Sequence, residues 1–187
     1  SLTEIISLMA EGLSPEEKSV VDKAIIKTYQ KAGWSPKKTR KRESKTYPML
    51  YDFYAVLKTM KQPKLCRRLE KYTTGSLAEV FDTQTNIELN NRLVVFDTKD
   101  LPESMRQIMH LVIAQFVQNQ VKAKMEKRLL VIDEAWLLLE HEESARFVAG
   151  LVRRARKYYL GVSIISQQAN DFLNNKYGQA IASQSAL

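Results

Sequence analysis

Apolar positions in the first part of the chain keep a helical spacing. Leu2 to Glu11 reads as one helix, ended by Gly12. Ser14-Pro15-Glu16-Glu17 then opens a second, with Ser14 as N-cap, Pro15 at the first helical position and Glu17 placed to close a capping box. Val20, Val21, Ala24, Ile25, Tyr29 and Ala32 recur every three to four residues, which predicts a helix to about Ala32, stopped by Gly33. Segment 35–47, flanked by prolines, predicts a loop. Shorter helices are predicted at 48–60, at 63–73 before Gly75, and at 76–81. Residues 1–85 are therefore expected to form an all-helical subdomain.

From about Asn91 the periodicity changes. Arg92 to Asp97 is a short β-branched run, and Ser104 to about Met125 an amphipathic helix with Met105, Ile108, Met109, Val112, Ile113, Phe116, Val117 and Val121 on one broad face. A strand at 128–133, a helix at 142–159, the apolar strand 162–166 and a helix at 176–186 follow. Strands alternating with helices of this length predict crossover connections and a parallel sheet covered on both faces, hence an α/β fold over 86–187. Ligands in such sheets bind beyond the carboxyl ends of the strands. Asp133, Glu134 and Gln167 fall there.

Composition narrows the functional classes. A chain of 187 residues buries a real core. Its single cysteine, Cys66, excludes an internal disulfide framework, suits a reducing compartment and reads as core packing. No apolar run approaches the roughly 18 to 20 residues of a bilayer span, and the first residues lack the pattern of a signal peptide, so a cytoplasmic domain is expected. Much of the net charge of +8 sits in Lys37 to Lys45, six basic residues against one acid. A solvated loop explains this run at least as well as contact with nucleic acid or anionic lipid.

Leu129-Leu130-Val131-Ile132 running into Asp133-Glu134 has the form of a Walker B strand. A carboxylate at a strand end can hold the magnesium ion that accompanies a bound triphosphate, which makes Asp133 the metal ligand. A second carboxylate one residue on can orient or deprotonate the attacking water, which makes Glu134 the catalytic candidate. Gln167, ending the neighbouring strand, can contact the γ-phosphate or that water. Four apolar residues before an acidic pair are common; the pairing with a strand ending Ser166-Gln167-Gln168 about thirty residues later is the more specific signal.

LLVIDEAWLLL and RRARKYYLGVSIISQQ together resemble the ATPase core of type IV secretion and conjugative transfer systems, the large ATPase that is the fourth VirB component. They are more distantly similar to double-stranded DNA translocases of the same RecA-like class. The upstream text LSPEEKSVVDKAI and LEKYTTGSLAEVFDTQTNIELNNRLVVFDTKDL resembles that family's helical insertion and following strand. The resemblance implies a RecA-like parallel sheet flanked by helices, with the helical insertion on its N-terminal side. It implies ATP and Mg2+ as cofactors in a hexameric motor that energises substrate transfer or pilus assembly. The motor would lie in the cytoplasm, peripheral to the inner membrane, among other secretion-channel components and with a DNA or protein substrate. In that class an arginine eleven residues before the strand-end glutamine faces the nucleotide of the neighbouring subunit, and Arg156 holds that spacing to Gln167. Arg153 and Arg154 are the alternatives. A guanidinium suits the task because it stays charged and reaches two phosphate oxygens at once.

One part is missing. The 187 residues contain no G-x-x-x-x-G-K-[ST] segment, and Thr73-Thr74-Gly75-Ser76 has one glycine and no following lysine. The chain is therefore expected to hold half a site and, alone, neither to bind ATP tightly nor to hydrolyse it. A DNA translocase or repair ATPase of the same class shares the four site residues, and only the wording of 1–85 separates it. A non-enzymatic binding module is the third class, supported by the missing loop and the basic charge. Other features read as structural: Trp136 as packing at the strand exit, Asp97 and Asp100 as turn residues with a supporting role as the alternative. His110 and His141 have no metal-ligand spacing. Arg146, Arg153 and Lys157 read as a solvated stripe.

Overall fold

The computed structural model describes residues 2–34, 47–84, 91–174 and 176–185. The basic run 37–45 and the expected boundary between 85 and 86 lie outside them. The chain divides into two units, Leu2–Val94 and Val95–Leu187.

The described residues of Leu2–Val94 form five helices: α1 (Leu2–Met9), α2 (Pro15–Lys31), α3 (Leu50–Thr59), α4 (Pro63–Thr73) and the single turn α5 (Ala78–Phe81). The expected capping box is present. Ser14 Oγ accepts the Glu17 N–H at 3.2 Å, and Glu17 Oε2 accepts the Ser14 N–H at 2.9 Å. Gly33 ends α2 at φ 81°, while the end of α1 places Glu11 as well as Gly12 in the left-handed region. Arg68 of α4 closes this corner. Its guanidinium donates to the carbonyls of Ala10 and Gly12 at 3.1 and 3.0 Å and pairs with Glu17. The core between the helices is Ile6, Met9, Val21, Ala24, Phe53, Leu57, Leu65 and Leu69, each at most 5% exposed. Cys66 is buried beside them, and burial raises its thiol pKa above the ordinary value.

Val95–Leu187 holds α6 (Glu103–Ala123), β1 (Arg128–Ile132), α7 (Trp136–Leu139), α8 (Glu142–Ala155), a 3-10 turn (Arg156–Tyr158), β2 (Leu160–Ile164), α9 (Asn170–Leu173) and α10 (Lys176–Ala182). The α/β expectation holds, with a short parallel sheet among many helices. β1 and β2 pair in parallel, Arg128 opposite Leu160 through to Ile132 opposite Ile164. Val121 of α6 and Leu151 and Ala155 of α8 bury Leu160, with Val117, Leu130 and Val162 packed around them. No helix among the described residues is long and apolar enough to cross a membrane.

Three expectations fail here. Arg92 to Asp97 is not a strand; it joins no ladder among the described residues, and Leu93 and Val95 are 80% and 77% exposed. β-branched side chains favour extended backbone, but a strand also needs a partner, and among the described residues β1 pairs only with β2. Nor do the described residues cover the sheet on both faces. Leu130 and Ile132 face the helices, while Leu129 and Val131, on the opposite side by the two-residue period, are 71% and 51% exposed. The helix expected to run to residue 159 ends at Ala155 and tightens into the 3-10 turn, with Tyr159 left-handed at φ 55°.

α10 crosses α9 closely. A Cβ built at Gly178 would stand 2.2 Å from the Phe172 carbonyl oxygen and 2.7 Å from its Cα. Both are backbone atoms that cannot rotate aside. Gly178→Ala should therefore destabilise Val95–Leu187 by about 2–3 kcal/mol, read as a lower Tm, whereas an unchanged Tm would mean that the two helices do not approach this closely.

Candidate functional site

The ladder does not stop at the last paired isoleucines. Ile165 N–H donates to Ile132 O at 2.9 Å and Ala135 N–H to Ile165 O at 3.0 Å, so Asp133 and Glu134 form a turn held at both ends by the neighbouring strand's continuation. Glu134 makes that turn in the left-handed region at φ 50°, which a residue with a Cβ adopts at a cost of order 1 kcal/mol or more. Local bonds hold it there. Asp133 Oδ1 accepts the Glu134 N–H at 2.9 Å, and Glu134 O accepts the Leu137 N–H at 3.1 Å.

Across the strand ends, Gln167 meets Glu134. The Gln167 side-chain amide nitrogen lies 2.9 and 3.2 Å from the two carboxylate oxygens. From the first turn of α7, the Trp136 indole N–H donates to Glu134 Oε2 at 2.5 Å. Three of the four expected groups, Asp133, Glu134 and Gln167, are thus gathered at the carboxyl ends of β1 and β2. Asp133 and Gln167 are exposed, and Glu134 is half-buried.

Arg156 is elsewhere. It lies in the 3-10 turn that precedes β2 and is exposed, so the strand separates it from Gln167. The five residues of β2 alone span roughly 13 Å at about 3.3 Å per step. Arg153 and Arg154, in the last turn of α8, share that end and are exposed. Arg146 is engaged structurally: it pairs with Glu142 at 2.8 Å and donates to the Tyr177 hydroxyl at 3.0 Å, tying α8 to α10. His141 is the residue before α8, and its carbonyl accepts the Ser144 hydroxyl.

α6 backs the site. The Gln107 amide donates to Leu137 O at 3.1 Å in a buried position, fixing α7 against α6. One helical turn on, His110 Nε2 shares a 2.9 Å hydrogen bond with Thr98 Oγ1, and its Nδ1 is buried without a hydrogen-bond partner among the described residues. Asp97 forms a local turn, accepting the Lys99 N–H at 2.9 Å. Burial lowers the His110 pKa, the Arg106 charge lowers it further, and Glu134 opposes both.

No cluster of three or more metal-ligating side chains exists among the described residues. Magnesium bound with a nucleotide does not need one, because one or two carboxylates with phosphate oxygens and water complete its shell. The exposed Asp133 carboxylate fits that requirement. Sequence reasoning missed the hydrogen bond from Trp136 and the nearness of His110 to Glu134. The first was accessible in principle, since an indole two residues past an acid meets it when the chain turns between them. The second, a charge interaction reaching from α6, had no sequence signal.

A family model described as the TraG P-loop domain matches residues 50–186. Among solved structures, the VirB4 protein of Thermoanaerobacter pseudethanolicus superposes with a TM-score of 0.84 at 24% identity, covering 96% of this chain and 52% of that one. At that identity the likeness is one of fold, and the chain spans about half the length of that relative. A search of curated proteins gives no match.

The His110 environment sets a pH dependence. A histidine whose folded pKa is depressed resists protonation, so it costs nothing above its unfolded value of about 6.5 and destabilises the fold as pH falls below that. The Tm should drop between about pH 7 and pH 5, and His110→Gln should lessen that drop. The same pH dependence in both proteins would remove His110 as a cause.

Proposed function

The chain belongs to the TraG P-loop domain family, and from that premise we propose that it carries the hydrolytic half of an ATP-driven motor for type IV secretion or conjugative transfer. Its work would include energising substrate passage and pilus assembly from the cytoplasmic side of the inner membrane, within a hexamer that contacts other channel components and a DNA or protein substrate. The observation that carries this proposal is the Glu134 carboxylate bridged by Gln167 across the carboxyl ends of two parallel strands.

Each residue has a distinct task. Asp133 would hold the magnesium ion of the ATP complex, which when bound would neutralise charge on the phosphate oxygens. Glu134 accepts the proton of the attacking water. Gln167 turns its amide to the γ-phosphate or that water. Arg156, at the far end of β2 from Glu134, is assigned to the nucleotide of a neighbouring subunit. A phosphate-binding loop, which these 187 residues lack, is assigned to another part of the whole protein. The coverage of only 52% of the VirB4 chain supports that assignment.

Turnover and nucleotide binding by the whole protein test the proposal. Glu134→Gln should lower ATP hydrolysis about 10²-fold or more while nucleotide binding persists. Arg156→Ala should cost about 10³-fold with no fall in Tm. Mixing the two variants should restore part of the activity, because a mixed ring pairs an intact Glu134 with an intact Arg156 from the next subunit. Unchanged turnover in Glu134→Gln would remove the catalytic assignment, and robust turnover by the 187-residue chain alone would overturn the half-site.

A further inference from the structure

The Trp136 indole and the Gln167 amide both donate to the Glu134 carboxylate, and they differ in how firmly they are themselves held. Gln167 is exposed on the loop beyond β2, with its amide nitrogen against both carboxylate oxygens. Trp136 begins α7, half-buried between Ala135 and Leu137, each 1% exposed, and the Gln107 bond to Leu137 O anchors that turn to α6. The indole has two rotatable bonds and one N–H, and it donates only to Oε2.

We infer that Trp136 is a positioning residue for Glu134. Its indole N–H fixes one carboxylate oxygen, so that when Gln167 turns its amide toward a phosphate oxygen the acid keeps its aim and presents the oxygen so freed to water. Gln167 is the movable half of the clasp and Trp136 the fixed half. The inference rests on the catalytic role proposed for Glu134.

Two measurements on the whole protein test it. Trp136→Phe keeps an aromatic ring but removes the donor, and it should lower kcat about 10- to 100-fold, the worth of a hydrogen bond to a charged group, with the KM for ATP unchanged. Independently of activity, this chain contributes two tryptophans, Trp34 and Trp136. With Trp34 and any tryptophan outside this chain replaced by phenylalanine, Trp136 is the sole emitter. Glu134→Gln should then shift its emission, whereas a merely packed indole would not respond. An inactive Glu134→Gln beside a fully active Trp136→Phe and an unshifted emission would overturn the positioning role while leaving the catalytic assignment intact. A fully active Glu134→Gln would overturn the catalytic assignment, and the positioning role with it.

Discussion

Ile132 and Ile164 stand opposite each other at the end of the parallel ladder, and that register decides what Glu134 can touch. Side chains alternate along a strand, so a slip of one residue would turn Leu130 and Ile132 away from the helices and carry Gln167 off the carboxylate. Burial enforces the register. Leu160 and Leu130 are held by Val121, Leu151 and Ala155, and Ile132 is 8% exposed. The polar contact at the strand ends is thus a consequence of apolar packing beneath it. Little of the site's geometry depends on the Glu134–Gln167 bond itself, which leaves that bond able to break and re-form.

The same ladder explains the separation within the site. Parallel strands place all their carboxyl ends on one edge, where Asp133, Glu134 and Gln167 gather. The turn before β2, with Arg156, is necessarily on the other edge. Within one copy β2 stands between the Arg156 turn and the carboxylates, which is why Arg156 is assigned to the nucleotide of a neighbouring copy.

Much of this was legible in the sequence, for reasons that differ by element. The capping box at Ser14 and the stop at Gly33 rest on local hydrogen bonds and backbone freedom, which a few neighbouring residues decide. β1 and β2 were legible as apolar runs, and the placement of Asp133, Glu134 and Gln167 followed once the strands were taken as parallel. Arg92 to Asp97 misled because its β-branched residues specify extended backbone but not a partner. The open face bearing Leu129 and Val131 misled for a related reason: apolar residues on both sides of a strand show what it can bury, not what the described residues supply to cover it. Trp136 looked like packing because spacing shows only that its indole and Glu134 can meet, and the turn that makes them meet places Glu134 in the left-handed region.

The pairing of Glu134 with Gln167 is open to one direct test in the whole protein, a double-mutant cycle on ATP turnover with Glu134→Asp and Gln167→Ala. Aspartate withdraws the carboxylate by one methylene and already breaks the contact. If the two groups act as one unit, the double variant should be little worse than the more damaged single one. Losses that multiply, as for two independent residues, would contradict it.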